Sequence, residues 1–171
     1  MSIIKLYGND ILRQKCEDVV FPDEILNQTI LSMFLVMHKA SGVGLAANQV
    51  GINKRIAVIN IDPEMKDEER VILINPRIIS SEGEQEMEEG CLSLPGFACP
   101  CKRAAKITVE SHDVEGNKYT FEADDLLAVA IQHEIGHLDA KLFIDELSTI
   151  QKMLIEPRLK KFLREHKHDN K

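Results

Sequence analysis

The stretch Gln132-His133-Glu134-Ile135-Gly136-His137-Leu138 constrains this chain more than any other. With about 3.6 residues per helical turn, histidines four apart project from one side of an α-helix. Both imidazoles can therefore converge on one point in front of that helix. Glu134 lies one step round the cylinder and reaches a water at that point without competing as a ligand. This is the HExxH arrangement of metal-dependent hydrolases: two nitrogen ligands and a carboxylate that moves protons. The alternative is a chance match, two surface histidines on an ordinary amphipathic helix. An unbroken apolar run over residues 126–131 leads into the histidines and predicts a helix buried on most sides. Buried histidines need a partner, and a metal is a good one.

The length of 171 residues is that of one domain, spanning 1–171, with enough chain to bury a core. A net charge of −7 argues against a general nucleic-acid binder, DNA included. No apolar run reaches membrane-spanning length, which excludes a helical span. The opening residues Met1-Ser2-Ile3-Ile4-Lys5-Leu6-Tyr7 lack the pattern of a secretory signal, so a cytoplasmic location is expected. In that setting the four cysteines, Cys16, Cys91, Cys99 and Cys101, are better suited to metal or catalytic use than to disulfides. Cys99-Pro100-Cys101 has no second close pair to complete a cage, and reads as two ordinary thiols.

Along the chain, residues 1–22 show no sustained period and predict an irregular arm. Asp23 can cap a helix whose apolar positions Ile25 or Leu26, Ile30, Phe34 and Met37 fall at helical spacing, with a stop at Ser41-Gly42. The small-residue stretch from Gly42 to Gly51 has neither P-loop nor dinucleotide spacing. Residues 55–61 and 71–75 read as strands, joined by a charged connection over 62–70. Residues 78–81 and 84–87 could pair across Glu82-Gly83, and 107–111 with 119–121 form a hairpin. Asp124 is placed to cap the HExxH helix. A last helix begins at Ser148, where Pro157 predicts a kink or break near Glu156. The basic end beyond it contrasts with the acidic body, and His166 and His168 read as a frayed tail. The fold class is α+β.

A catalytic metal of this kind takes three protein ligands and leaves a position for water. Cys91, in a Gly-flanked turn before a proline, is the candidate for the third; on residue chemistry alone a buried structural thiol fits equally well. Two imidazoles with one thiolate suit zinc or ferrous iron.

Three separated stretches, Gly42-Val43-Gly44-Leu45-Ala46-Ala47-Asn48-Gln49, Glu89-Gly90-Cys91-Leu92-Ser93 and Gln132-His133-Glu134-Ile135-Gly136-His137, resemble in order the signature motifs of peptide deformylase. Asp10-Ile11-Leu12-Arg13 and Ile74-Asn75-Pro76 look like that family as well, and the similarity runs to about Leu147. The resemblance implies antiparallel and mixed sheets around a central metal-binding helix, flanked by N- and C-terminal helices. It implies that Cys91, His133 and His137 hold the metal, that Glu134 is the general acid/base, and that Gln49 and the backbone N–H of Leu92 face the oxyanion. It places Val43, Gly44, Met87, Glu89, Gly90, Leu126, Val129 and Ala130 around the substrate. The implied activity is removal of the formyl group from formylmethionine at the start of nascent peptides, releasing formate. Ferrous iron is the implied cofactor, with zinc, nickel or cobalt able to replace it.

The resemblance also implies that a C-terminal helix can dock on the ribosome, with the basic tail over 158–171 as the matching segment; the alternative is a solvated tail. Two departures stand out. The family carries Asp in HExDH where this chain has Gly136, so Arg103 is expected to lack that partner; a common glycine is Ala140 here. Lost outer partners of this kind predict a looser site. The rivals are a hydrolase with Cys91 as nucleophile, a generic HExxH metallopeptidase, and a metal-binding module without catalysis.

Overall fold

In the computed structural model the chain is described at residues 4–62, 64, 66 and 69–167. Much of the 62–70 connection, and His168 with the residues after it, therefore lies outside the described residues. From residue 4, where description begins, the N-terminal arm is irregular as expected, apart from a 3-10 turn at Asp10–Arg13 that buries Leu12 and a parallel bridge between Glu17 and Lys54; residues 1–3 lie outside the described residues. Helix α1 (Leu26–Lys39) follows and buries Leu26, Ile30, Met33, Phe34 and Met37, the apolar face read from spacing. Asp23 caps only the preceding turn, its carboxylate accepting from Ile25 N–H at 3.1 Å.

The end of α1 differs from expectation. Ser41, at a φ of 55°, takes the left-handed position that Gly42 was expected to fill. The N–H groups of Ser41 and Gly42 return to the carbonyls of His38 and Met37, each at 3.0 Å. Those two bonds satisfy carbonyls that the helix leaves open. Gly42 answers a different demand, because a Cβ there would lie 2.6 Å from Leu92 Cδ1.

Among the described residues seven strands come next: β1 (Gly44–Ala46), β2 (Ile56–Ile59), β3 (Val71–Glu82), β4 (Gln85–Gly90), β5 (Ala98–Arg103), β6 (Lys106–His112) and β7 (Lys118–Asp124). Five of them form an antiparallel sheet in the order β1-β2-β3-β6-β7, while β4 and β5 form a separate pair. All four residues of β2 are buried because helices cover both faces of the sheet. Ile56 and Val58 pack with α1; Ala57 and Ile59 pack with helix α2 (Asp125–Leu138). Period-two alternation thus assigns one short strand to two cores.

The hairpin of β6 and β7 forms as read, with Asp113 accepting from the N–H groups of Glu115 and Asn117 in its loop. The pairing expected across Glu82-Gly83 does not. Instead β3 runs on beside β6, and β4 pairs with β5. Gly83, at a φ of 65°, turns the chain out of the larger sheet. Cys99 and Cys101 on β5 then alternate inward onto a third core with Leu94, Phe97, Ile155 and Phe162.

Asp124 stands at the N-cap of α2 but makes no side-chain capping bond. Helix α3 (Thr149–Glu165) starts from Ser148, which caps it with Gln151, and continues through Pro157 without the expected break. Ile155 and Phe162, both buried, anchor the turns on either side of the proline to one core. The carbonyl that loses its donor belongs to Met153, which is 67% exposed and open to water. His166 stacks on Phe162 with ring centroids 4.1 Å apart, so it is not frayed. Among the described residues no helix is long and apolar enough to cross a membrane.

Candidate metal centre

The end of β4 and the last two turns of α2 meet at Cys91, His133 and His137. One ligand atom from each lies within 4.8 Å of the others, and Cys91 Sγ is 3.2 Å from His137 Nε2. The sulfur is aimed by a tight turn. Leu94 N–H closes on the Cys91 carbonyl at 2.9 Å, and Ser93 N–H points at Sγ from 3.4 Å. A tetrahedral ion with bonds of roughly 2.0–2.3 Å holds its donors about 3.5 Å apart, so one sulfur and two nitrogens within 4.8 Å of one another are near enough to close on a single ion. Cys99 and Cys101 stay in the core as ordinary thiols.

Behind His133 stands a chain of charge. Its Nδ1 is 2.8 Å from Glu89, whose carboxylate also accepts from Arg103 Nε at 2.7 Å and from the second guanidinium nitrogen at 3.0 Å. Glu146 approaches the same guanidinium at 3.8 Å. Arg103 lacks an aspartate at position 136, as expected, and is paired instead with Glu89 and Glu146. Burial pushes the Glu89 carboxyl up, but hydrogen bonds from His133 and Arg103 outweigh it and hold it down to about 2. Burial also opposes charge on His133, yet its bonds to Cys91 and Glu89 raise it to about 10.

His137 has no such support. It is fully buried, its Nδ1 has no partner among the described residues, and burial followed by the neighbouring His133 lowers its pKa well below the ordinary value. A neutral ring in this position offers a lone pair.

Glu134 is buried, with Oε2 lacking a partner, and burial pushes its carboxyl up to about 7. Gly44 makes room for it: a Cβ at that position would lie 2.4 Å from Glu134 Oε1. Gln49 sits in a 3-10 turn, Ala47–Val50, directly after β1. Its Oε1 is taken by Ala46 N–H at 2.8 Å, which leaves the amide NH2 facing Ser93 Oγ at 3.1 Å and Cys91 Sγ at 3.5 Å.

These groups open onto a cavity of about 350 Å3. Of the residues expected around a substrate, Val43, Gly44, Glu89, Gly90, Leu126, Val129 and Ala130 border it, as do Gln49, Leu92, His133 and Glu134. Met87 does not; it pairs with Cys101 across β4 and β5. Sequence reasoning missed Phe97, Gly96, Glu88 and Ser41 on its rim. Only the Pro95-Gly96 turn hinted that the chain doubles back there. It also missed Glu89 as the partner of both His133 and Arg103, a contact between distant segments with no local signal.

A family model for polypeptide deformylase matches residues 1–153. The chain belongs to that family. The peptide deformylase of Endomicrobium trichonymphae is 46% identical over 158 residues, covering 92% of this chain and 93% of the relative. Among solved structures, a Plasmodium falciparum peptide deformylase superimposes with a TM-score of 0.92 at 34% identity, covering 96% of this chain and 97% of that one. A Legionella pneumophila peptide deformylase gives 0.87 at 40% identity, with 98% of each chain covered. The activity is that of the family: hydrolysis of the formyl group from N-formylmethionine at the start of nascent polypeptides, with release of formate.

Proposed function

We propose that Cys91, His133 and His137 are the protein ligands of one divalent ion, and that α2 is the central helix of a single catalytic domain spanning 1–171. The observation that carries this is the convergence of one sulfur and two imidazole nitrogens within 4.8 Å of one another beside a cavity. Held by these three side chains, a divalent ion would supply Lewis acidity for activating water near neutral pH. Glu134 takes the proton of the attacking water and passes it to the leaving amine, a task suited to a carboxyl pushed up to about 7. Gln49 Nε2 and the Leu92 N–H donate to the formyl oxygen as charge develops on it. The C–N bond breaks, formate leaves, and the free amino group of methionine remains. Leu126, Val129 and Ala130 supply apolar surface for the methionine side chain.

Ferrous iron is the ion in the cell on this reading, with zinc, nickel or cobalt able to take its place, and the enzyme works in the cytoplasm. Exposed Arg158, Lys160, Lys161 and Arg164 give it a salt-sensitive contact with the ribosome. Co-sedimentation that survives deletion of residues 158–171 would end that part.

The test is anaerobic purification with metal analysis, followed by formate release from formyl-Met-Ala-Ser and its acetyl counterpart. One metal per chain, release from the formyl peptide alone, and silence after phenanthroline are expected. Activity undiminished by the chelator would favour a second reading, with Cys91 as nucleophile and His137 as base. The 3.2 Å contact between those two side chains is what favours it.

A further inference from the structure

We propose that Asn48 is the positioning residue for His137, holding its backbone directly and its ring through one buried water. Both residues are fully buried, and they come from opposite sides of the site, Asn48 from the 3-10 turn after β1 and His137 from the end of α2. Asn48 Nδ2 donates to the His137 carbonyl at 2.7 Å. That bond leaves one polar atom on each partner unmet: Asn48 Oδ1 and His137 Nδ1, both buried and without a hydrogen bond among the described residues. One is an acceptor. The other carries the hydrogen whenever Nε2, 3.2 Å from the Cys91 sulfur, presents its lone pair.

An unpaired buried donor and an unpaired buried acceptor each carry a desolvation penalty, and a water bridging the two removes both. His133 meets the same need with Glu89. Asn48 thereby gives His137 a neutral counterpart of that carboxylate. The residue also adjoins Gln49, so one side chain ties the turn that aims the amide donor to the turn that aims the ligand.

The inference rests on His137 Nε2 being a ligand, and the test separates the two. The zinc-loaded full-length protein is labelled with 15N, and the imidazole nitrogens and their protons are followed by NMR in the wild type, Asn48→Leu and Asn48→Asp. The expected wild type shows a ligated Nε2 and a slowly exchanging Nδ1–H at His137. In Asn48→Leu that proton exchanges at least tenfold faster while His133 is unchanged, and zinc dissociates about 10–100-fold faster into a chelator, the usual effect of losing an outer partner. Asn48→Asp keeps the acceptor and keeps the proton protected. A His137 Nδ1–H equally protected in Asn48→Leu overturns the proposal, and so does a parallel change at both histidines, which would mark a general loosening. A His137 Nε2 that is not ligated in the wild type removes the ligand assignment itself.

Discussion

His133 and His137 lie one turn apart on α2, and their outward nitrogens meet different surroundings. At His133 a carboxylate, a guanidinium and a second carboxylate follow in series: Glu89, Arg103 and Glu146. At His137 there is no charge in contact, only a buried amide that grips the backbone. The first arrangement is held by ionic hydrogen bonds drawn from β4, β5 and the segment after α2. The second is held by one neutral amide, by packing and by the way α2 ends. A ring fixed by charge depends on pH and on every member of its chain, whereas one held by neutral contacts depends on the geometry of its helix terminus.

The largest expected effect breaks the charged side. Glu89→Ala leaves a guanidinium and an imidazole, each only 10% exposed, without their common partner, a loss of about 3–5 kcal/mol for such a pair. Urea unfolding of the metal-free protein should show that loss, with weaker zinc retention alongside it. Asn48→Leu, which removes no charge, should lose far less stability. Equal losses would erase the distinction between the two rings.

Acid titration sharpens the same contrast. The Glu89 carboxyl sits at about 2 when folded, below its ordinary 4.5. A carboxyl lowered on folding contributes stability that is complete above the unfolded value and lost as pH falls through the folded one. In the metal-free protein the urea midpoint should therefore fall between pH 4.5 and about 2, and that limb should be shallower in Glu89→Gln. An unchanged limb would mean that Glu89 is not held by its two donors in solution.

At the other ring the prediction has the opposite sign. Helix α2 closes with Ala140 N–H on the His137 carbonyl at 3.1 Å and Lys141 N–H on the Gly136 carbonyl at 2.8 Å. This closure needs a left-handed residue, and Ala140 supplies it at a φ of 64°. An alanine Cβ in that conformation costs about 1 kcal/mol, so Ala140→Gly should stabilise the protein by about that amount. A melt that falls would show that the Cβ packs usefully, in which case the terminus is not strained.

What could be read from sequence was what repeats locally. The buried face of α1, the β6–β7 hairpin and the HExxH spacing each follow from periods of 3.6 or 2 within one segment. The three motifs carried the family because each is a contiguous string. The pairing of β4 with β5 was missed because β3 also offered an edge, and only the third core, built from Leu94, Phe97 and α3, decides between them. Ser41 was missed because glycine is the commoner left-handed residue, while Gly42 was already committed to making room for Leu92. The pairing of Arg103 with Glu89 could not be inferred from Gly136, since the absence of one partner says nothing about which distant residue replaces it.

Gly136 itself allows the smallest test. It stands in the last turn of α2, between the two histidines, and a Cβ there would find its nearest neighbour, the Lys141 carbonyl, at 3.7 Å. That is ordinary van der Waals distance, so alanine fits without displacing anything. Glycine in a helix costs about 0.5–1 kcal/mol relative to alanine, and the effect shrinks near a terminus. Gly136→Ala should then raise stability by about 0.5 kcal/mol and leave zinc retention unchanged, because the substitution reaches neither Glu89 nor Asn48. Gly136→Asp differs by a charge near Arg103, which also borders the cleft beside Gly136. If the charged chain behind His133 is complete, the aspartate adds no more than the alanine does. A zinc off-rate that slows for aspartate alone would show instead that Glu89 and Glu146 leave Arg103 under-held, and that the site is looser than its hydrogen bonds suggest.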